Sequence, residues 1–461
     1  MAINVKNNQN LVDQLIEWDQ KHFLHPTSSV RAHQQNGPEH IFMEGNGVRV
    51  KDIYGNEYID GLSALWNVNL GYGRTDLGEA AKKQMETLPF SSSFNNYSNE
   101  QAIKLAHKIS KLAPGDLNVS FFTSGGSESN ESVFKIIRHY WKLKGQEKRT
   151  KIISLGRAYH GVTMGASSAT GMDTFRTFST AHSPDFIQAM PYLTDCEKGK
   201  KNDLNFEHSI RGIIEREGED KIAAVILEPI QGAGGVNVPP GGYLQAVRDL
   251  CNEYGIFMIA DEVICGFGRT GKMFGVENWN VVPDFMTVAK GITSGYIPLG
   301  AVIMKDSFRD ELASLTDNIL FHGFTYSGHP TSCAVALKTL EVLENENIIS
   351  HVKDMEAVVL ERFETLKNRH FNVTNDRCVG LLGAFDVLKD PSSNTRFAPE
   401  QNAAMVVARG CNKRGLIVRP VMYKGANSVV FAPPLVANKS DINEAMNIFS
   451  EALKEFEKKV K

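Results

Sequence analysis

The chain has 461 residues, 42% of them hydrophobic, so it can bury a large core and exceeds a single domain of ~100–200 residues. Lys+Arg (50) nearly balances Asp+Glu (53), for a formal charge of −3, which excludes a nucleic-acid binder's basic surface. No run approaches ~20 apolar residues, so no membrane span is expected.

Residues 11 to 25, with Leu11, Leu15, Ile16 and Trp18, have the mixed polarity of a short amphipathic helix. The opening Met1-Ala2-Ile3-Asn4-Val5 has neither the basic patch nor the apolar run of a signal peptide, and an unexported, cytoplasmic protein is expected. Next, Val48 to Asp52 and Glu57 to Asp60 flank Tyr54-Gly55-Asn56, a hairpin signal because Gly and Asn tolerate turn dihedrals.

Four apolar runs in the middle of the chain, 223–227, 256–260, 285–289 and 301–304, are continuous rather than alternating. That pattern belongs to strands covered on both faces, in a mostly parallel α/β sheet. Tyr243 to Cys251 has helical spacing after Pro239-Pro240-Gly241-Gly242 and supplies a crossover between two of them. Helices are expected at 334–343, 352–366 and 442–456, with apolar pieces at 381–387, 416–418 and 429–432. The expected division is a large domain over 71–330 and a small one assembled from 1–70 and 331–461.

The six cysteines (Cys196, Cys251, Cys265, Cys333, Cys378, Cys411) are scattered with no Cys-x-x-Cys spacing. Reduced thiols are expected, with no metal site and no disulfide framework.

Three short segments could carry chemistry. In the first, Phe121-Phe122-Thr123-Ser124 leads to Gly125-Gly126-Ser127, and Val133, Ile136, Ile137, Tyr140 and Trp141 follow at helical spacing. Glycines and a helix N-terminus together cradle a phosphate, although an ordinary capped helix explains the same residues. The pattern is not that of a nucleoside-triphosphate loop. In the second, Asp261-Glu262 ends an apolar run where open α/β sheets place ligands; Asp261 suits a protonated pyridine nitrogen or a structural salt bridge. In the third, Lys290 follows another run; it could be a desolvated nucleophile or a surface lysine at a strand end. One cofactor would use all three.

At these residues the sequence resembles the class III pyridoxal-phosphate aminotransferases, of fold type I. The resemblance rests on Ser124 to Asn130, Tyr159-His160-Gly161, Glu228 to Gly232, the long Asp261 to Gly271 motif, Ala289-Lys290-Gly291, Gly295 to Ala301 and His322 to Pro330. It runs from about residue 20 to the end. It implies pyridoxal 5'-phosphate bound covalently to Lys290, with Asp261 on the pyridinium and Tyr159 and Val263 on the two ring faces. Gly125, Gly126 and Ser127 would hold the phosphate, joined by Thr325 of a neighbouring subunit in a homodimer or dimer of dimers, and Glu228 would lie near the cofactor. The phosphate loop departs from the commoner Ser-Gly-Ser or Ser-Gly-Thr and so has one hydroxyl fewer.

Within the class, Leu65 to Gly73, Pro89-Phe90 with Phe94, and Gly415 to Arg419 are most similar to the ω-amino acid or amine:pyruvate transaminases. Trp66, Phe94 and Tyr159 would then line an apolar pocket, and Arg419 would swing in for a carboxylate. Substrates would be an amine or amino acid and a keto acid. Aminotransferases for 4-aminobutyrate, ornithine or diaminopelargonate formation, an aminomutase, a class III decarboxylase or racemase, and a non-catalytic binding protein remain open as alternatives.

Overall fold

A computed structural model describes residues 9–191, 207–423 and 425–460. Cys196 and the opening five residues lie outside them; the other five cysteines are buried free thiols.

The central element is a seven-stranded sheet: β1 (Val119–Thr123), β2 (Lys151–Leu155), β3 (Phe186–Ala189), β4 (Ile222–Leu227), β5 (Phe257–Asp261), β6 (Phe285–Val288) and β7 (Gly300–Met304), in the order β1-β7-β6-β5-β4-β2-β3. Six strands run parallel and β7 runs against both its neighbours. Every residue of β4, β6 and β7 is buried, which is why their sequences read as unbroken apolar runs. The helix Tyr243–Glu253 makes the crossover from β4 to β5. Because six strands share a direction, their carboxyl ends gather at one edge of the sheet, the place where open α/β folds bind ligands.

The two chain ends meet beside this sheet. The hairpin pairs Arg49–Asp52 with Glu57–Asp60, and Leu416–Ile417 adds to it in parallel, Leu416 opposite Ile59. The Asp52 carboxylate accepts from the backbone N–H of Tyr54 (2.9 Å) and Asn56 (2.8 Å), which closes the turn around Gly55 at φ +83°. A second antiparallel sheet comprises Val373–Val379, Leu382–Val387, Ser428–Phe431 and Arg419–Val421.

Of the apolar piece expected at 416–418, only Leu416–Ile417 forms a strand; Val418 lies between it and Arg419–Val421 of the second sheet, where Pro420 sits on an edge strand and a missing N–H costs no ladder bond. The first helix is Gln9–His22 and the last Lys439–Val460. No helix among the described residues is long and apolar enough to cross a membrane.

Candidate active site

Strand direction brings the three segments together. The chain leaves β1 through Gly125, whose backbone is extended, and enters the helix Gly126–Leu143 with no side-chain cap on its N-terminus. Its first N–H groups and the positive end of its dipole are thus open to an anion. A Cβ on Gly126 would lie 2.9 Å from Val263 Cγ1, and one on Gly161 would lie within van der Waals overlap of Ser127. Glycine at both positions lets the loops after β1, β2 and β5 close on one another. Gly125 has open space around its missing Cβ, so nothing steric demands glycine there.

Gly126, Ser127, Tyr159, Glu228, Asp261, Val263 and Lys290 line one cavity of about 140 Å³, with Asn130, His160, Gly161 and Ile264. Asp261, one of its lining residues, is buried. One carboxylate oxygen accepts from Asn130 Nδ2 and from His160 Nδ1, both at 2.8 Å; the other accepts from the Val263 N–H at 3.1 Å. The His160 tautomer is assigned from that carboxylate partner. Asn130 is itself oriented, accepting from Thr287 Oγ1 (2.8 Å) and donating to the His160 carbonyl (2.7 Å). His160 Nε2 is buried and has no partner among the described residues.

Lys290 begins a 3₁₀ turn just after β6, at φ +50°, a left-handed conformation that costs a non-glycine residue roughly 1–3 kcal/mol. Burial pushes its amine down to about 8, opposed by the carboxylates of Asp261 and Glu228. Burial, and then Asp261, raises Glu228 to about 8, although its oxygens accept from the N–H groups of Tyr159 (2.9 Å) and Gly232 (3.0 Å). Glu262, the other half of the acidic pair, faces away from this cavity and accepts from Gly275 and Val276 N–H at 2.7 and 2.8 Å. It is a structural carboxyl.

Trp66 is buried, 5.8 Å from Lys290 Nζ to its ring centre, and Arg419 stacks its guanidinium on the same ring at 4.8 Å. The backbone that carries Trp66 is strained, with Ser63, Ala64 and Trp66 all at φ between +50° and +59°. Arg269, fully buried, holds this segment: its guanidinium donates to Ser63 Oγ (2.9 Å), Asn69 Oδ1 (3.0 Å) and the carbonyls of Leu381 (3.0 Å) and Pro433 (2.6 Å).

Five expected residues do not line this cavity: Gly125, Trp66 and Arg419 lie beside it, and Phe94 and Thr325, the latter expected from a neighbouring subunit, stand apart. Phe94 is 48% exposed and lies against Gly323, and Thr325 is exposed on the loop that follows; neither lines the cavity of its own chain. Sequence reading also assigned no role to Asn130, His160, Thr287 or Arg269. Asn130 follows Gly126 by four positions and so shares its helix face, which is a usable signal. The others converge only through long-range packing.

A mostly parallel sheet with a smaller domain built beside it, and a buried lysine, aspartate and helix N-terminus at its carboxyl edge, define a fold type I pyridoxal-phosphate-dependent transferase. The chain belongs to the class III aminotransferases, whose family profile matches residues 30–453. It is similar to the putrescine–pyruvate aminotransferase of Pseudomonas aeruginosa, 38% identical over 95% of this chain and 96% of that one. Among solved structures it resembles a transaminase from the marine bacterium Virgibacillus (44% identity, TM-score 0.94, 97% of this chain and 100% of that one). It also resembles a thermostable (S)-enantioselective ω-transaminase from Thermomicrobium roseum (41% identity, TM-score 0.91, 96% and 98%).

Class III aminotransferases depend on pyridoxal 5'-phosphate. The residues present fit that group, because the uncapped helix end, the glycine close approaches and the buried Lys290 and Asp261 face one cavity.

Proposed function

We propose that this enzyme takes the amino group of an ω-amino acid or simple amine and passes it to a keto acid, pyruvate foremost, in a ping-pong cycle. One observation carries the reading. The Arg419 side chain is largely buried, yet among the described residues its guanidinium has no hydrogen-bonding or ion-pair partner and rests on the Trp66 ring. A cation on an indole face gains roughly 0.5–2 kcal/mol, which is little to give up. The guanidinium can therefore turn to clamp a carboxylate with two hydrogen bonds, and withdraw when the substrate presents an apolar group. A relative named for putrescine and pyruvate supports the same pairing of an amine lacking an α-carboxylate with a keto acid.

Pyridoxal 5'-phosphate, when bound, supplies the electron sink that makes the substrate Cα–H acidic. The N–H groups of Gly126 and Ser127 would hold its phosphate, with Gly125 in the same loop, and Asp261 would hold the pyridine nitrogen. Tyr159 and Val263, which both line the cavity, would cover the ring's two faces. Glu228 positions Tyr159 through the backbone N–H that it accepts. Lys290 Nζ would tether the cofactor and, once released by the incoming amine, would take up the proton that leaves the substrate Cα.

Amino transfer from a panel of amines, ω-amino acids and 4-aminobutyrate to pyruvate or 2-oxoglutarate tests the substrate reading. Activity restricted to 4-aminobutyrate and 2-oxoglutarate would overturn it. In the same assay Arg419→Ala is expected to lower kcat/KM for pyruvate by roughly 10²-fold, the worth of a lost charge-assisted pair, and that for a monoamine only a few-fold. Equal losses for both would refute the swinging arginine.

Lys290 reacts as the neutral amine. Because burial lowers its pKa, the rate of cofactor capture by the apoenzyme should climb with pH and level off just above about 8. A climb that continues to the ordinary lysine range near ~10.4 would contradict a desolvated Lys290.

The reading also includes a cytoplasmic homodimer. Phe90, Phe94, Tyr97, Phe321 and Tyr326 are all exposed, and Thr325 lies among them in sequence. A second copy covering this face would receive Thr325 at its phosphate cradle and Phe94 at its substrate pocket. Light scattering of the holoenzyme is expected to give a dimer or a multiple of one; an active monomer would rule this out.

A further inference from the structure

Far along the chain from the active-site segments, three potential metal ligands converge near the start of the fold. Asp19 lies on the helix Gln9–His22, His33 on the helix Val30–Asn36, and His25 in the turn that joins them. His33 Nε2 is 2.6 Å from Asp19 Oδ1, and His25 Nε2 is 3.1 and 2.9 Å from the two carboxylate oxygens. The three donor atoms all lie within 4.8 Å of one another. Their side chains are 17%, 11% and 27% exposed for Asp19, His33 and His25, so an ion can enter from solvent.

We propose that Asp19, His25 and His33 bind one divalent transition-metal ion of the zinc type. Two imidazole nitrogens and one carboxylate oxygen suit Zn²⁺, Co²⁺ or Ni²⁺ and not the oxygen-seeking Mg²⁺ or Ca²⁺. Ligands at ~2.0–2.2 Å from a tetrahedral ion sit roughly 3.3 Å from one another, so the His33–Asp19 pair, now at 2.6 Å, has to open by about 0.7 Å and the His25–Asp19 pair, at 2.9 Å, by less. Each imidazole binds through the Nε2 lone pair with its proton on Nδ1. Three protein ligands leave one position for water.

The surrounding structure gives such an ion a task. The helix Val30–Asn36 buries no residue and Gln9–His22 buries only Val12, so little apolar packing holds the two together. The rings of His25 and His33 are 4.3 Å apart and Phe23 lies 4.3 Å from His25, which orients His25 toward Asp19. A metal would staple a helix pair that lacks a core of its own.

The test is Co²⁺ titration of tag-free, metal-stripped holoenzyme with free cofactor removed, read by the visible d–d bands of bound cobalt. One equivalent per chain is expected. Asp19→Asn and His33→Gln should each weaken uptake by at least about 100-fold, more than the loss of an outer-sphere partner costs. Zn²⁺ should slow proteolysis between residues 23 and 29 in the parent enzyme and leave His25→Gln unprotected. No d–d bands at millimolar cobalt, or equal uptake by the parent and both variants, would overturn the site. Neither readout uses transaminase activity, so the outcome is independent of the substrate assigned above.

Discussion

Replacing Lys290 with alanine is expected to lower amino transfer by roughly 10⁴-fold or more and to leave the purified protein without covalently held cofactor. Among the described residues no other lysine lines the cavity, and the neighbouring carboxylates of Asp261 and Glu228 lack the nucleophilic nitrogen that a tether to a carbonyl carbon needs. The backbone turn does not depend on this side chain, since Ala289 and Lys290 are turned by the end of β6 and the 3₁₀ helix that follows. The variant should therefore fold and still bind the phosphate end of the cofactor. A small added amine that restores part of the rate would separate lost chemistry from lost structure. Retention of activity within tenfold of the parent would sink the assignment.

Asp261→Asn should lower kcat with every donor by roughly 10²–10³-fold, the usual consequence of removing one preorganised electrostatic partner. The carboxylate is surrounded by donors: Asn130 Nδ2, His160 Nδ1 and the Val263 N–H all point at it. An amide presents an NH₂ to one side of that ring of donors, so either Asn130 and His160 or Val263 loses its acceptor, and the negative charge proposed to face the pyridine nitrogen is gone. The near-isosteric exchange leaves the packing unchanged. Steady-state rates together with the absorption of bound cofactor measure the effect, and a loss smaller than about threefold would show that Asp261 is structural.

Much of the architecture was readable residue by residue. Continuous apolar runs marked β4, β5, β6 and β7, because strands buried on both faces have no polar alternation to hide them. Strands β2 and β3 escaped notice for the opposite reason. β2 carries Ser154 and the edge strand β3 carries Gln188, whose amide reaches the Ser154 hydroxyl (3.4 Å) and the Ser168 carbonyl (2.9 Å). Polar groups satisfied by tertiary contacts look, in sequence, like loop.

The site shows the same division. Gly125 to Ser127 before a helical pattern, and Asp261 and Lys290 after apolar runs, are local features: chain flexibility, helix polarity and strand burial are each expressed within ten residues. They were sufficient, with the family's motifs, to name a cofactor class. Strand order was not local. That β5 and β6 lie side by side, placing Asp261 and Lys290 at one edge, depends on which strands pair across the sheet.

Contacts between distant segments were further out of reach. Arg269 joins segments around residues 63–69, 381 and 433, and Arg419 meets Trp66 across more than 350 positions. Phe94, expected at the pocket, lies on the surface of its own chain, as does Thr325, which was expected to serve a neighbouring subunit. The local pattern of a sequence records what each residue can do, since donor, charge and rotamer are intrinsic to it. Which groups meet is set by packing the whole core, and in that packing Trp66, Arg419, Asn130 and His160 acquired their positions.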